Sequence, residues 1–133
     1  MTSQNTIQTE EHIFPIYDLY GNLERYVKHM AWEVGPYRLM ISYFSEDEND
    51  FSNGDHNIRI ENNSRFDIIL IPTKIDLEPM KDEENGGCIY TGVKASMFSN
   101  LAETPEDMEE LSEVLKYTAK AQRVFADILK ERF

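Results

Sequence analysis

Residues 15–34, PIYDLYGNLERYVKHMAWEV, decide between two folds for the N-terminal part of the chain. Their apolar residues recur at steps of three and four, which is typical of one face of an amphipathic helix. Pro15 suits the first helical position, and Gly35-Pro36 is a strong stop signal. We therefore predict an N-terminal helix over this stretch.

A β-hairpin is the alternative for the same residues. Gly21 inside a helix costs about 1 kcal/mol relative to alanine. The triplet Tyr20-Gly21-Asn22 could instead form a turn between two short strands, Ile16–Leu19 and Leu23–Val27. The helix is favoured, and the hairpin stays open.

Four strands are predicted downstream, where β-branched and aromatic residues follow breakers. They cover Tyr37–Phe44, residues 57–61, Phe66–Thr73 and Cys88–Met97. The triplet Asn62-Asn63-Ser64 predicts a tight hairpin connection. The apolar run Ile68-Ile69-Leu70-Ile71 predicts a central strand that is covered on both faces. Gly92 indicates a bulge or a close backbone approach.

The C-terminal helix has the clearest start signal in the chain. Thr104 is a good N-cap, Pro105 suits the first helical position, and Asp107 stands where a capping box places its acid. Acidic residues in the first half and basic residues in the second favour the helix dipole. The expected buried stripe consists of Met108, Leu111, Leu115, Thr118, Ala121, Phe125, Ile128 and Leu129.

The predicted order is therefore α-β-β-β-β-α. It corresponds to an α+β two-layer sandwich in which an N-terminal and a long C-terminal helix cover a four-stranded, mainly antiparallel sheet. Residues 1–11 are expected to form a flexible N-terminal tail, and residues 12–133 a single domain. The tail lacks a secretory signal, and no apolar run approaches the ~20 residues that cross a bilayer. We therefore expect a cytoplasmic location and no membrane partner.

The middle of the chain is strongly acidic. Residues 46–113 carry eighteen Asp or Glu and five Lys or Arg, in a chain whose net charge is −12. This charge argues against direct binding of nucleic acid, which uses clustered Lys and Arg. It favours either a basic protein partner or a surface that is charged for solubility.

The acids form three groups, at residues 46–55, 76–84 and 103–113. The capping and the dipole of the C-terminal helix account for the third group. The first two groups lie in loops that an antiparallel meander would place at the same end of the sheet. The candidate partner-binding residues are Glu46, Asp47, Glu48, Asp50, Asp55, Asp76, Glu78, Asp82, Glu83 and Glu84.

The sequence contains no motif for catalysis, cofactors or metals. With Gly54 at position six of a calcium-binding loop, Phe51 and Ile60 fall where oxygen ligands are required. The single cysteine, Cys88, allows neither an intramolecular disulfide nor a multi-thiolate zinc site. Histidine pairs with metal-binding spacing, a nucleophile elbow and a phosphate-binding loop are missing too. We predict no catalytic residue, no cofactor and no metal.

Three function classes remain. The leading hypothesis is a non-enzymatic acidic protein that occupies a basic, possibly nucleic-acid-binding, site of an unidentified partner. Such an inhibitor or antagonist would mimic DNA and would be encoded by a mobile element. The second is a cytoplasmic immunity protein or a dimeric secretion chaperone, and the third is an enzyme of unrecognised type. A chaperone groove could be lined by the aromatic strip Tyr17, Tyr20, Tyr26, Trp32 and Tyr37. The chain is expected to be a monomer or a homodimer.

Overall fold

A computed structural model describes residues 7–52, 55–76, 88–97 and 102–133. Within these ranges the chain forms strands in two antiparallel sheets, followed by one helix, so the fold is mainly β. The elements are β1 (Ile7–Tyr17), β2 (Leu23–Val34), β3 (Tyr37–Ser45), β4 (His56–Asn62), β5 (Ile68–Asp76), β6 (Cys88–Met97) and α1 (Pro105–Arg132).

The predicted N-terminal helix is wrong, because residues 15–34 belong to the hairpin of β1 and β2. The turn between these strands is built by local hydrogen bonds. The Asp18 carboxylate accepts the backbone N–H groups of Tyr20 and Asn22, each at 2.9 Å. Gly21 has a φ of 83°, a left-handed conformation that only glycine adopts readily. Residues 7–11, which the sequence placed in a flexible tail, form the first part of β1.

The first four strands form one meander in the order β1-β2-β3-β4. Trp32 on β2 pairs with Leu39 on β3, which pairs in turn with Ile60 on β4. Side chains at alternate positions face the same side of a sheet, so these three share the face that carries the core. Met30 and Ile41 form the next paired row on that face, and both are fully buried.

The predicted single four-stranded sheet is also wrong, because β5 and β6 form a separate two-stranded sheet. The triplet at residues 62–64 turns the chain out of the first sheet instead of closing a hairpin. The Asn62 side-chain amide donates to the carbonyls of Phe66 and Ile68, each at 2.8 Å. The prediction of a central strand covered on both faces is wrong too, because β5 pairs with β6 alone, with Ile68 and Leu70 buried in the core and Ile69 and Ile71 exposed.

The bulge predicted at Gly92 is confirmed. Thr73 pairs with Gly92, but the next residue of β5, Lys74, pairs with Tyr90. Thr91 is therefore the extra residue, which is the definition of a β-bulge.

Helix α1 begins as predicted and covers the core between the two sheets. The Thr104 hydroxyl accepts the N–H of Asp107 at 3.1 Å, and the buried Tyr37 and Thr118 hydroxyls are 2.7 Å apart. In the predicted stripe Met108 and Leu115 are exposed, whereas Val114 is buried. The main core side chains are Met30, Trp32, Val34, Tyr37, Leu39, Ile41, Phe66, Ile68, Leu70, Tyr90, Leu111, Phe125 and Leu129. No helix in the described ranges has the length and apolarity to cross a membrane.

Candidate functional site

A surface cleft of about 640 Å³ opens at the end of the four-stranded sheet, between the β1–β2 hairpin and the loop that joins β3 to β4. It is called the acidic cleft below. Five carboxylates and one guanidinium contribute to its wall, so its formal charge is −4. The lining residues are Glu24, Arg25, Phe44, Ser45, Glu46, Asp47, Asp50 and Asp55.

Strand pairing brings the two walls of the acidic cleft together. Tyr26 at the start of β2 pairs with Ser45 at the end of β3, which sets Glu24 and Arg25 beside the acidic loop. The Arg25 guanidinium lies 4.3 Å from the centre of the Phe44 ring, a cation–π distance. One wall is therefore fixed by a strand and by an aromatic contact.

The loop wall is ordered by short-range hydrogen bonds of its own side chains. The Ser45 hydroxyl accepts the N–H of Asp47 at 3.0 Å and donates to the carbonyl of Asp50. The Asp50 carboxylate accepts both the hydroxyl and the N–H of Ser52, at 2.6 and 3.0 Å. The hydroxyl and then the N–H lower the pKa of Asp50, so this carboxyl is held ionised.

Several acids of α1 form ion pairs with basic side chains, whereas the loop acids of the cleft form none among the described residues. Two acids of α1, Asp107 and Glu110, form ion pairs with Arg65, which precedes β5, and the Glu110 pair has a distance of 2.9 Å. Glu113 of α1 pairs with Lys116 of the same helix at 2.9 Å. No ion pair among the described residues involves an acid of the loop at residues 46–55, and all five acids there are exposed. The negative charge of the cleft is therefore turned toward solvent.

The structure brings together only part of the predicted partner-binding set. Glu46, Asp47, Asp50 and Asp55 line the acidic cleft, and Glu48 lies in the same loop without lining it. Asp76 ends β5, and its carboxylate is 3.7 Å from the Lys74 ammonium. The other four predicted residues, Glu78, Asp82, Glu83 and Glu84, lie outside the described residues.

Strands β4 and β6, each of which follows an acidic connection in the sequence, begin close to each other. His56, which begins β4 after the first loop, has its Nε2 atom 2.9 Å from the hydroxyl of Tyr90 on β6. The Phe133 ring, at the end of α1, lies 4.3 Å from the His56 ring and 5.1 Å from the Tyr90 ring between centres. The first residues of β4 and β6 are thus neighbours, and the C-terminus of the helix packs on both.

The half-buried position of His56 predicts a protein that loses stability on acidification. Burial lowers the pKa of His56 below 6.5, and the charge of Lys74 lowers it further, while Asp55 acts in the opposite direction. As the pH falls, the unfolded chain therefore takes up this proton first. The contribution of His56 to the free energy of unfolding is present above about pH 6.5 and is lost as the pH falls through the lowered pKa.

Denaturant unfolding at about pH 7.5 and pH 5.5 measures this loss. His56→Gln should remove its share of the pH dependence, whereas His12→Gln, at an exposed position on β1, should retain it. The prediction is wrong if His56→Gln and the unmodified protein lose the same free energy between the two pH values.

An apolar hairpin tip lies beside the acidic cleft, where the favoured helix was wrong and the alternative hairpin had its turn at Tyr20-Gly21-Asn22. Leu19 and Tyr20 at the turn are 100% and 89% exposed, and Tyr17 and Leu23 at the strand ends are more than half and about half exposed. The residues that follow, Glu24 and Arg25, already line the cleft. The signal for this turn was present in the spacing of Asp18 and Gly21, which the helical periodicity outweighed. Of the aromatic strip suggested for a chaperone groove, Trp32 and Tyr37 are buried in the core.

A second constellation, on the sheet face opposite the core, joins three strands. His29 Nδ1 is 3.1 Å from the Ser42 hydroxyl, and His29 Nε2 is 2.9 Å from a Glu10 carboxylate oxygen. The other oxygen of Glu10 is 2.6 Å from the Arg38 guanidinium. Burial acts to raise the pKa of Glu10, but Arg38 and then His29 outweigh it and the pKa is lowered.

This Ser-His-Glu order resembles that of a hydrolase triad, but its setting differs. Ser42 pairs with His29 on β2 and with Asn57 on β4, so β3 is hydrogen-bonded on both sides. Its backbone N–H groups belong to the two ladders and are not turned toward a developing oxyanion. We assign the network to holding β1, β2 and β3 together.

The carboxylates of the acidic cleft are spread out and do not converge on one point. In the part of the chain that the structure describes, no group of three or more His, Cys, Asp or Glu side chains could hold a metal ion. Comparison with protein-family models, with curated proteins and with solved structures gave no match to this chain.

Proposed function

We propose that the protein is a non-enzymatic binding protein whose acidic cleft occupies a basic site on a partner protein. The observation that carries this proposal is the exposed charge of −4 at the cleft, whose loop acids form no ion pair with any described residue. Spaced carboxylates on an ordered loop are complementary in charge to a surface that carries several Lys and Arg side chains.

Local structure accounts for part of this charge only, since the carboxylates of Asp47 and Asp50 accept backbone N–H groups within the loop but no such bond is made by Glu46, Glu48 or Asp55 among the described residues. Acids placed close together repel one another and oppose compaction, and protein surfaces ordinarily intersperse charges of both signs. The acids at the start of α1 improve the helix dipole, and Arg65 neutralises two of them. No ion pair among the described residues neutralises the acids of the loop at residues 46–55, which supports selection for an external cation.

The hairpin tip supplies the apolar part of the same binding surface. Interfaces combine a few buried apolar or aromatic anchors with a polar rim, and Leu19 and Tyr20 are side chains of that kind. The hydrogen bonds of Asp18 hold the turn in place before binding. A rigid anchor loses less conformational entropy on association.

The more specific form of the proposal is an inhibitor or antagonist, present in the cytoplasm, that blocks a nucleic-acid-binding site by mimicking DNA. Its support is the charge of the cleft, because such sites carry the clustered Lys and Arg that neutralise phosphates. The affinity should then fall steeply as the salt concentration rises.

Affinity capture with matched charge variants tests the proposal. The cleft variant, E46Q/D47N/D50N/D55N, keeps the oxygen acceptors of the loop and removes four charges. The control variant, E103Q/E106Q/E109Q/D127N, removes four exposed charges from α1 and the residues just before it. Each protein is immobilised, incubated with an extract of its host at low and high salt, and analysed by mass spectrometry.

We expect the unmodified protein and the control variant to retain the same basic protein at low salt. The affinity of the cleft variant for that protein should be at least about tenfold weaker in a titration. A tenfold change corresponds to about 1.4 kcal/mol, to which the four lost charges all contribute. Equal affinities of the two variants would show that net charge, and not the cleft, determines binding.

A further inference from the structure

Arg25 is the one cation among the described residues that line the acidic cleft, and its charge opposes that of the carboxylates around it. On β2 it comes just before Tyr26, whose pairing with Ser45 places it beside the acidic loop. On its other side it pairs with Ile16 of β1, close to the hairpin turn. Arg25 therefore lies between the loop acids and the apolar hairpin tip, near the middle of the proposed binding surface.

The Arg25 guanidinium is not used to neutralise the acids near it. Within the described ranges it forms no ion pair, although five carboxylates line the same cleft. Its Nε–H group is buried and has no hydrogen-bond partner there. A buried donor without a partner costs free energy, so an arginine that served only to stabilise the loop would be expected to donate to the loop's oxygens.

An aromatic ring holds the Arg25 side chain instead. Its Cζ atom lies over the Phe44 ring at 4.3 Å from the centre. The ring is itself fixed, because Phe44 pairs with Val27 on β2 and its N–H donates to the Asp55 carbonyl at 2.8 Å. A guanidinium that lies over a ring keeps the N–H donors of its edge for another group. Holding the side chain in place before binding also reduces the entropy that it loses on association.

We propose that Arg25 determines the specificity of the acidic cleft by pairing with a carboxylate in the basic site of the partner. This inference rests on the proposed function, because it names a second chemical feature of the same binding site. The planar guanidinium pairs with a carboxylate through two parallel N–H bonds, and arginine is enriched among the residues that dominate interfaces.

The kind of partner follows from this combination of charges. A site that carries only Lys and Arg is attracted by the loop acids and repelled by Arg25, whereas a site that also contains an acid gains from both. Specificity commonly combines an attractive and a repulsive element in this way. Enzymes that act on nucleic acids have such mixed sites, where carboxylates that bind Mg²⁺ lie among cations that bind phosphates.

Titration of the full chain with defined peptides, at about 0.05 M salt, tests the proposal. The probes are lysine-rich peptides of equal length, made in pairs that differ at one position, which is glutamine in one peptide and glutamate in the other. The position moves along the peptide from pair to pair, so that each register is sampled. The selectivity is the affinity for the glutamate peptide divided by the affinity for its glutamine partner.

Three variants separate a direct contact from a change in net charge. Arg25→Gln changes the charge of the cleft from −4 to −5. Arg59→Gln is the matched control, because Arg59 on β4 is 71% exposed, lies outside the cleft and loses the same charge. Arg25→Lys keeps the charge without the planar group. Circular dichroism checks that each variant is folded.

We expect the selectivity for at least one peptide pair to fall at least about fivefold in Arg25→Gln, to fall less in Arg25→Lys and to stay unchanged in Arg59→Gln. Arg25→Gln should bind the glutamine peptides more tightly than the unmodified protein does, since its cleft is more negative. Equal selectivities of Arg25→Gln and Arg59→Gln for every pair would overturn the proposal. So would a loss of affinity by Arg25→Gln that is the same for both peptides of each pair, because that result indicates a structural role.

The cleft variant E46Q/D47N/D50N/D55N distinguishes this failure from failure of the proposed function. If the cleft variant binds the glutamine peptides as tightly as the unmodified protein, the acidic cleft is not the binding site and both proposals are wrong. If the cleft variant binds them weakly while Arg25→Gln retains the selectivity of the unmodified protein, the cleft binds basic partners and only the role of Arg25 is wrong.

Discussion

Replacing Gly35 with alanine is expected to lower the free energy of unfolding by about 3 kcal/mol. Gly35 stands between β2 and β3 with a φ of 56°, a conformation that costs a residue with a side chain about 1–2 kcal/mol. A Cβ atom there would also overlap Cγ of Tyr117 on α1 and lie 2.9 Å from its Cβ. Displacing that ring and its helix adds an overpacking cost of about 1–3 kcal/mol.

Gly21→Ala separates the two contributions. Gly21 also has a positive φ, of 83°, but no atom lies within 4 Å of an added Cβ. We expect that substitution to cost only the backbone part, about 1 kcal/mol. Guanidinium unfolding measures both, and Gly35→Ala in a Tyr117→Ala background should cost clearly less than in the unmodified protein. Equal costs in the two backgrounds would show that the contact with Tyr117 contributes nothing.

The wrong prediction over residues 15–34 follows from how β2 is buried. Met30, Trp32 and Val34 face the core, while Val27 and Ala31 are covered on the opposite face by neighbouring side chains. A strand buried on both faces loses its two-residue alternation, so its apolar residues also fit steps of three and four. The turn chemistry of Asp18 and Gly21 was the local signal that distinguished the two folds.

Elements with strong local signals were predicted well. Strand β6 was predicted at its observed bounds, and the N-cap of α1 at Thr104 is confirmed. For β5 the apolar run predicted cover on both faces, which is wrong, because an apolar pattern does not show whether another element covers the second face. The departure of β5 from the first sheet depends on the contacts of Asn62 with Phe66 and Ile68, which no periodicity reveals.

The candidate site was predictable only on its loop side. The acids at residues 46–55 are adjacent in sequence, so composition alone groups them. Glu24 and Arg25 reach the same cleft through the pairing of β2 with β3, which a helical prediction for this segment rules out. The network of Glu10, His29 and Ser42 was missed for the same reason, since its members lie on three strands.

Phe125→Ala is expected to cost about 4 kcal/mol, the largest loss for a single truncation in α1. The Phe125 side chain is fully buried in the core that α1 shares with both sheets. Removing a buried phenyl ring loses its transfer free energy and leaves a cavity, which together cost about 3–5 kcal/mol. Val124→Ala, at a partly buried position on the same helix, should cost about 1 kcal/mol and serves as the control.

The same variant tests whether α1 makes the two sheets unfold together. An isolated two-stranded sheet is at best marginally stable in water, so β5 and β6 depend on the core that they share with α1. Trp32 lies in the four-stranded sheet, and the Arg132 guanidinium of α1 is 4.8 Å from the centre of its ring. Tryptophan fluorescence and the helical circular dichroism signal should therefore be lost at one denaturant concentration, which is lower in Phe125→Ala. Two separate transitions, with fluorescence unchanged by Phe125→Ala, would mean that the four-stranded sheet folds without the helix.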